Sequence, residues 1–324
     1  MFTKSLPVLM LLAVAATTNA LAQDYPTKPV AIVVPFPPGG PSDILARNLA
    51  VAMGPALKQQ IIVENSGGAG GTIGINKVAK ARPDGYTILL MHIGMSTAPA
   101  LYRKLPYDTI NDFEPIGQVA DVPMVLVAKK ALPPNNFMEF LAYAKANKDN
   151  LTYGNAGLGS SSHLCGMLFM SAIETEFTNV SYKGNAPALS DLVGGQIDLM
   201  CDQTSTTTSQ ISAGTIKVYG VTSKTRVASL SNVPTLNEQG LRGFEVVIWN
   251  ALYAPKGTPK AALDKLVFAL QSALADPIFR SRLSELGAEP VAVEKARPEA
   301  LRAFLKSEIE RWGPIIKKAG VYAD

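Results

Sequence analysis

Three glycine-rich turns are the parts of this chain best suited to bind a charged ligand. Each follows a short apolar run and opens an amphipathic stretch, in the segments AIVVPFPPGGPSDILA, IIVENSGGAGGTIG and LTYGNAGLGSSSHLCG. A helix that begins after such a turn leaves several backbone N–H groups without partners, and its dipole favours negative charge at that end. Three such turns in one chain therefore predict a pocket that holds an anion.

The known phosphate and nucleotide motifs do not match these turns. A P-loop needs a lysine directly after its last glycine, and no glycine turn of this chain carries one. The dinucleotide fingerprint GxGxxG is also missing, because Gly157-Leu158-Gly159 is followed by three serines. We therefore expect neither a nucleotide triphosphatase nor a Rossmann cofactor site.

A serine hydrolase is the alternative function. The segment Gly94-Met95-Ser96-Thr97-Ala98 follows an apolar run and approaches the nucleophile motif GxSxG, but it fails at the last position. His163 is the candidate base for Ser96, whereas His92 is interpreted as a structural histidine. A metal site that used His163 and Cys165 would need two further ligands that the sequence does not place, so we expect no metal.

The first 22 residues have the pattern of a secretory signal. Lys4 provides the positive start, Leu6 to Ala16 the apolar stretch, and Ala20-Leu21-Ala22 the small-residue cleavage site. The apolar run is shorter than the roughly 20 residues that span a bilayer. The pattern predicts export with cleavage, so that the mature chain begins at Gln23.

Charge and cysteine content narrow the classes of partner. Without the signal the chain has 29 basic and 26 acidic residues, because Lys4 is the only charged residue of the signal. The basic residues are scattered, so binding to nucleic acid or to an anionic membrane is not expected. Cys165 and Cys201 are too few for a disulfide framework. In an oxidising compartment they form either one disulfide or two buried thiols, and the sequence leaves both open.

Apolar runs that predict strands alternate with helical patterns, which is typical of βαβ units with parallel sheets. The early strands are predicted at 30–35, 61–63, 87–91 and 123–127. A helix is predicted over 136–146, and the Ser/Thr-rich run at 204–209 is predicted to be a loop. Thr258 is predicted to cap a helix that Pro259 opens.

These patterns form two α/β units. Apolar strands near 119–127 and 246–253 are the candidate crossings between the units. All three glycine turns fall at the carboxyl ends of predicted strands, which is where parallel sheets place their binding sites. We therefore expect the turns to face one common cleft.

Six motifs follow one another along the mature chain. They are PFPPGGPSD at 35–43, NSGGAGGTIG at 65–74, ARPDGYTILL at 81–90, NDFEPIG at 111–117, VSYKGNAPALSDLVGGQIDLMCD at 180–202 and VPTLNEQG at 233–240. Together they resemble the Bug, or tripartite tricarboxylate transporter, family of periplasmic solute-binding receptors. The resemblance covers essentially the whole mature chain.

The resemblance implies an α/β fold of the bilobed, type II periplasmic-binding-protein class, a Venus flytrap in which crossing strands join two Rossmann-like domains. Residues 23–122 and 247–324 would form domain 1, and residues 123–246 domain 2. Such receptors close over a small organic acid, which is a di- or tricarboxylate, an acidic amino acid or an aromatic acid. They deliver it to a membrane permease. We expect a periplasmic, monomeric receptor that is not an enzyme and has no cofactor.

The resemblance also implies one ligand-binding wall on each domain. The wall of domain 1 would consist of Phe36, Pro38, Gly39, Gly40, Ser42, Asp43, Gly70, Gly71 and Ser96. The wall of domain 2 would consist of Gly159, Ser160, Ser161, His163, Lys183, Gly184, Asn185, Ala186, Pro187 and Asp202. Two roles stay open: Asp43 either binds the ligand or caps its helix, and Lys183 either contacts the ligand or is a solvated loop charge.

The composition of these walls indicates how a carboxylate is held. The glycine turns contain no arginine, and Lys183 is the only cation in the candidate walls. Backbone N–H groups and hydroxyls would therefore meet most of the ligand's charge, at about 1.5–3 kcal/mol for each hydrogen bond to a charged group. Arginine is not required for binding.

Overall fold

The computed structural model describes residues 25–320 and Tyr322, and the predicted signal at 1–22 lies outside them. The strands are β1 (Val30–Val34), β2 (Ile61–Asn65), β3 (Thr87–His92), β4 (Phe113–Lys129), β5 (Thr152–Asn155), β6 (Thr178–Ser181), β7 (Leu199–Gln203), β8 (Ile216–Val221), β9 (Val247–Pro255) and β10 (Glu289–Pro290). The α-helices are α1 (Pro41–Leu57), α2 (Thr72–Ala79), α3 (Gly94–Leu101), α4 (Phe137–Asn147), α5 (Ser161–Ala172), α6 (Asn185–Val193), α7 (Thr204–Ser212), α8 (Lys260–Ala275), α9 (Pro277–Glu285) and α10 (Pro298–Ala319).

The strands of the described residues form one mixed sheet in the order β2-β1-β3-β9-β4-β7-β5-β6, with β8 and β10 also paired to β4. We call the elements around β1–β3 and β9 the first lobe, and those around β5–β8 the second lobe. The strands β1, β2 and β3 are parallel, as are β5, β6 and β7. Their carboxyl ends are where the three glycine turns begin.

The long strand β4 belongs to both lobes. Its part from Phe113 to Pro123 pairs with β9, and its part from Met124 to Ala128 pairs with β7. The chain returns to the first lobe at Val247, whose register partner is Pro123. The domain limits at 122/123 and 246/247 stay a proposal, supported by this change of partners.

Apolar periodicity accounts for the elements that begin the first lobe. The strand β1 has the sequence VAIVV and is almost continuously buried, as is typical of a parallel strand covered on both faces. Helix α1 begins at Pro41, whose fixed φ suits the first helical position, and it buries Leu45, Leu49 and Met53. Together they fix the first glycine turn at both of its ends.

Three expectations about the elements are wrong. The sheet is mixed, because β4 runs antiparallel to β7, β8 and β9. Residues 204–209 form the start of helix α7 and not a loop. Their hydroxyls account for this: Thr207 and Thr208 donate to carbonyls four residues earlier, and buried Thr204 donates to the carbonyl of Gly287. Thr258 does not cap α8, because its hydroxyl donates to the Pro255 carbonyl.

Helix α10 is tied to β9 by a buried carboxylate. Glu308 accepts hydrogen bonds from the indole N–H groups of Trp249 and Trp312, both at 2.9 Å and both to the same oxygen, Oε2. Its other oxygen accepts from Arg311 at 3.2 Å. The carboxylate is therefore fully paired at its buried position, as a charged group in an interior must be.

One disulfide ties α5 to β7. Cys165 and Cys201 are bonded, with their Cα atoms 6.1 Å apart, and both are buried. This settles which of the two open states of the cysteines the fold adopts. Among the described residues, no helix is both long and apolar enough to cross a membrane.

Candidate ligand-binding cleft

Two neighbouring cavities lie between the lobes, and Phe36 and Pro37 line both. The outer cavity has a volume of about 700 Å³ and is bordered by all three glycine turns. The inner pocket measures only about 10 Å³, which is room for about one water molecule. The cleft is therefore nearly closed at its inner end and open further out.

The inner pocket lies where three helices begin. It is lined by Gly40, Pro41 and Ser42 from α1, by Ser160 and Ser161 from α5, and by Asn185 and Ala186 from α6. Helices α1 and α6 start after Gly40 and Gly184, neither of which provides a side-chain cap. Their first-turn N–H groups are therefore available to an anion, and the three helix dipoles favour negative charge at the same point.

In the third helix, α5, one of the first-turn N–H groups is already capped by a side chain of the same segment. The Ser160 hydroxyl accepts a hydrogen bond from the N–H of His163 at 3.2 Å, which caps α5. The Ser162 hydroxyl accepts from the N–H of Ala156 and so holds the third glycine turn against its helix. Ser161 accepts from the Gln203 side chain at 3.2 Å. These serines shape the turn, and they leave the N–H groups of Ser161 and Ser162 outside the cap.

The lobes touch across the cleft. A Cβ atom on Gly184 of the second lobe would lie 3.0 Å from the Pro37 ring of the first lobe, and the φ of Gly184 is +132°. A Cβ atom on Gly39 would lie 3.8 Å from Cβ of Ala186. Glycine at position 184 therefore meets two demands at once, a left-handed backbone and close approach of the opposite lobe.

Asp43 braces the first glycine turn. Its Oδ2 accepts from the Gly39 N–H and from Arg47, each at 2.9 Å, and its Oδ1 accepts from the Asn65 amide at 3.0 Å. Burial opposes the charge, but these hydrogen bonds and the Arg47 guanidinium hold the pKa of Asp43 below its usual value. Asp43 lines neither cavity, so the geometry favours the structural role that the sequence left open.

Both histidines are poor candidates for proton transfer. Burial lowers the pKa of His92 to about 4, and its ring stacks on Phe36 with centroids 4.9 Å apart. The Nδ1 atom of His92 accepts a hydrogen bond from the Gly94 N–H. Burial also lowers the pKa of His163. Both rings are therefore neutral at pH 7, and His92 is a wall of the inner pocket, which the sequence did not predict.

Ser96 does not have the surroundings of a nucleophile. It is buried, its hydroxyl donates to the Ile93 carbonyl of its own helix at 2.7 Å, and it lines neither cavity. Within the described residues, no histidine is hydrogen-bonded to it. The pairing of Ser96 with a histidine, on which the hydrolase alternative depends, is absent from that part of the chain.

Twelve of the predicted site residues line the two cavities. They are Phe36, Pro38, Gly40, Ser42, Gly70, Gly71, Ser160, Ser161, Lys183, Gly184, Asn185 and Ala186. The cavities do not reach Gly39, Asp43, Ser96, Gly159, His163, Pro187 and Asp202. Pro187 is exposed on α6, and Asp202 is completely buried behind Asn185.

Charge in the cleft is sparse. Lys183 is the one lysine or arginine among the residues that line the two cavities, and it belongs to the outer one. Every residue that lines the inner pocket is uncharged at pH 7. The described part of the chain contains no cluster of His, Cys, Asp and Glu that could hold a metal ion. An anion in the inner pocket would therefore be held by neutral donors.

The comparison with protein families identifies this architecture. The family model described as "Tripartite tricarboxylate transporter family receptor" matches residues 45–321. The chain belongs to this family. Members of the tripartite tricarboxylate transporter receptor family are solute-binding receptors and not enzymes, so the hydrolase alternative is wrong.

Solved structures of the receptor family resemble this chain over most of its length. The periplasmic binding protein BugD is 52% identical with a TM-score of 0.89, over 92% of this chain and 99% of that chain. MatC from Rhodopseudomonas palustris, solved with bound malate, is 38% identical with a TM-score of 0.86, over 90% and 100%. A second R. palustris protein, solved with adipate, is 35% identical with a TM-score of 0.88, over 92% and 99%.

The sequence missed several residues of the cleft because other elements bring them there. Tyr102 reaches it from the end of α3, and Gln203 from the end of β7. Neither belongs to a glycine turn or to a motif at family spacing. The only sequence signal for Gln203 is its position at the carboxyl end of a strand, next to Asp202.

Proposed function

We propose that this receptor captures a small dicarboxylate in the periplasm and delivers it to the membrane permease of a tripartite carrier. The observation that carries this proposal is the convergence of three helix N-termini, from both lobes, on one inner pocket without a cation. Such a pocket favours a carboxylate over a neutral or cationic group. Export through the predicted signal and a monomeric state belong to the same proposal.

One ligand carboxylate would point into the inner pocket and place one of its oxygens there, since the pocket has room for about one water molecule. The donors there are the first-turn N–H groups of α1, α5 and α6, together with the hydroxyl of Ser42 and the amide of Asn185. Three or four hydrogen bonds at about 1.5–3 kcal/mol each would contribute about 5–12 kcal/mol before the cost of association is subtracted.

The second carboxylate would lie in the outer cavity, near Lys183. This cavity adjoins the inner pocket at Phe36 and Pro37, and its volume of about 700 Å³ admits a short acyl chain. The bound malate and adipate of the two R. palustris relatives are both dicarboxylates. Their different lengths support a site that fixes one end of the ligand and tolerates variation at the other.

Capture would proceed by closure of the lobes around the ligand, with β4 as the continuous link between them. The inner pocket holds only about one water molecule when the lobes touch, so a ligand must enter while they are apart. Closure would then bring α1 of the first lobe against the ligand that α5 and α6 already contact. The bound state is stabilised because both lobes share one anion.

The test is a thermal-shift and calorimetry screen of protein freed of co-purified ligand, with malate, succinate, adipate, citrate and matching monocarboxylates. At a hundredfold excess over Kd, a ligand adds about 2.7 kcal/mol of stability, which raises the Tm by about 5 °C. Dicarboxylates are expected to give the largest shift. No shift with any carboxylate would refute the proposal.

A charge variant separates the two ends of the ligand. Lys183→Met is expected to weaken dicarboxylate binding by about tenfold and to leave monocarboxylate binding nearly unchanged. Lys145→Met is the matched control, since this exposed lysine lies on α4 of the same lobe and lines neither cavity. Equal affinity of the Lys183→Met variant and the wild type for every dicarboxylate would exclude the lysine from the site.

A further inference from the structure

A buried aspartate stands behind the inner pocket without a cationic partner. Asp202 is completely buried. Two residues that are hydrogen-bonded to it, Asn185 and Gln203, line the pocket. Its Oδ1 accepts hydrogen bonds from the Asn185 side-chain amide and, at 2.8 Å, from the Gln203 N–H. Its Oδ2 accepts from the Thr206 hydroxyl at 2.9 Å. All three donors are neutral.

A second aspartate, directly before the same strand, shows the contrast. Asp198 pairs with Lys129 at 2.6 Å and accepts from the N–H and the hydroxyl of Thr152. Burial opposes its charge, but Lys129 and Thr152 hold the pKa of Asp198 below its usual value. Burial without such a cation raises the pKa of Asp202 to about 7, although its three hydrogen bonds oppose the rise.

The other groups around Asp202 do not neutralise it. Tyr153 of β5 faces it, and burial, together with the charge of Asp202, raises the pKa of this phenol, so the phenol stays protonated. Helix α5 packs against β7 and carries His163, which is neutral at pH 7 because burial lowers its pKa. The neighbouring Cys201 is in the disulfide and does not titrate. Val125 of β4 is the register partner of Asp202.

Resting on the proposed function, we propose that Asp202 is a positioning residue that binds one proton when an anion enters the inner pocket. An ionised Asp202 holds the N–H of the Asn185 amide away from the ligand. A protonated Asp202 donates its O–H to Asn185 Oδ1, and the amide turns its N–H toward the anion. The proton comes from solvent, binds Asp202 Oδ1 and returns to solvent when the ligand leaves.

Two physical effects act in the same direction. Two negative charges, one in the pocket and one behind Asn185, repel each other in a medium of low dielectric constant, so the ligand favours the neutral carboxyl. The anion also gains a donor when the amide turns. Ligand capture and proton uptake are therefore linked, and the affinity rises as the pH falls through the range in which free Asp202 is ionised.

The experiment is titration calorimetry with malate and adipate as probes, in buffers of different ionisation enthalpy. It runs from about pH 6.5 to about pH 8.5, the range in which the carboxyl of ligand-free Asp202 loses its proton. The wild type is expected to take up a measurable fraction of one proton, and its affinity is expected to fall about three- to tenfold across this range. Asp202→Asn, which mimics the protonated group, is expected to bind with a pH-independent affinity and no proton uptake. Asp198→Asn is the control and is expected to keep the wild-type proton uptake.

Binding without proton uptake in the wild type, or equal uptake in Asp202→Asn, would overturn the linkage and leave the receptor function intact. Thr206→Val provides a second variant, at a partly exposed position in the first turn of helix α7. It removes a donor to the ionised carboxylate and is expected to move the pH midpoint upward. A measurement without ligand separates the two proposals. The free energy of unfolding of Asp202→Asn, minus that of the wild type, is expected to grow from about pH 5 to about pH 7. This range lies between the pKa of Asp202 in the unfolded chain and its pKa in the folded protein. Parallel profiles would overturn the role of Asp202 even if neither probe binds.

Discussion

Tyr102 of the first lobe places its hydroxyl 3.4 Å from the carbonyl oxygen of Leu158 in the second lobe. The same hydroxyl donates to the Ala69 carbonyl at 2.8 Å. One side chain thus joins the second glycine turn to the third and spans the mouth of the cleft. The contact exists only while the lobes are together, so it stabilises the closed state relative to the open one.

Replacing Tyr102 by Phe is expected to weaken ligand binding about two- to threefold, because the closed state loses only the longer contact of a hydroxyl proton that is shared with Ala69. Calorimetry with the dicarboxylate found in the screen measures this. Tyr107→Phe is the matched control, since the Tyr107 hydroxyl is buried without a hydrogen-bond partner and lines neither cavity. Equal losses in the two variants would show that Tyr102 does not act through closure.

Gly184→Ala is expected to reduce ligand affinity by more than tenfold. The new Cβ would lie 3.0 Å from Pro37 of the opposite lobe and would keep the lobes apart. Gly195→Ala also places a side chain at a positive φ, +76°, but its Cβ meets nothing within 4 Å. The control variant is therefore expected to lose about 1 kcal/mol of stability and no affinity. Small-angle scattering with and without ligand checks whether Gly184→Ala still closes.

Removing the disulfide by Cys165→Ala with Cys201→Ala is expected to lower the free energy of unfolding by about 2–4 kcal/mol. The two cysteines are 36 residues apart, so the bond closes a long loop in the unfolded chain. Urea unfolding with and without a reductant measures the effect. The reductant is expected to destabilise the wild type and to leave the double variant unchanged; a wild type insensitive to full reduction would contradict the prediction.

Asp43→Asn is expected to destabilise the first glycine turn and to weaken binding without any contact between Asp43 and the ligand. Because the folded pKa of Asp43 lies below its unfolded value, its stabilisation is present above about pH 4 and disappears as the pH falls through the folded value. The difference in unfolding free energy between wild type and variant is therefore expected to vanish once the pH lies below the folded pKa of Asp43.

The control for Asp43 is Asp264→Asn. Asp264 also pairs with a basic residue four positions away, Lys260, but both side chains are exposed. Exposed pairs of this kind contribute about 0–1 kcal/mol, so this variant is expected to match the wild type in stability and binding. A comparable loss in both variants would assign the effect of Asp43 to its ion pair alone and not to the turn.

The sequence predicted the first-lobe strands because glycines, prolines and apolar runs act locally. Strand β1 and helix α1 follow directly from VAIVV and from Pro41. Helix α7 was missed because composition alone favoured a loop, whereas buried Thr204 and its neighbours satisfy their hydroxyls within the fold. Strand direction was missed as well, since the period of an apolar run does not reveal which strand lies beside it.

The candidate site was predicted less completely than the fold. Family motifs pointed to Asp202 as a wall residue, but a motif does not distinguish a side chain that faces the ligand from one that stands behind Asn185. Asp43 is a similar case, since its partners Asn65 and Gly39 come from different segments. These distinctions depend on burial and on three-dimensional neighbours, which no local pattern encodes.

The paired indoles on Glu308 have a practical consequence for observing this receptor at work. Trp249 and Trp312 are the two tryptophans of the chain, and both border a space that Ser223 and Lys224 of the second lobe also line, away from the ligand cleft. Tryptophan fluorescence, excited at wavelengths that tyrosine does not absorb, therefore comes from one place at the junction between the lobes. A change in this emission when a solute is added would report rotation of the lobes and not contact with the solute. Closure of the native protein can therefore be followed without an added fluorescent label.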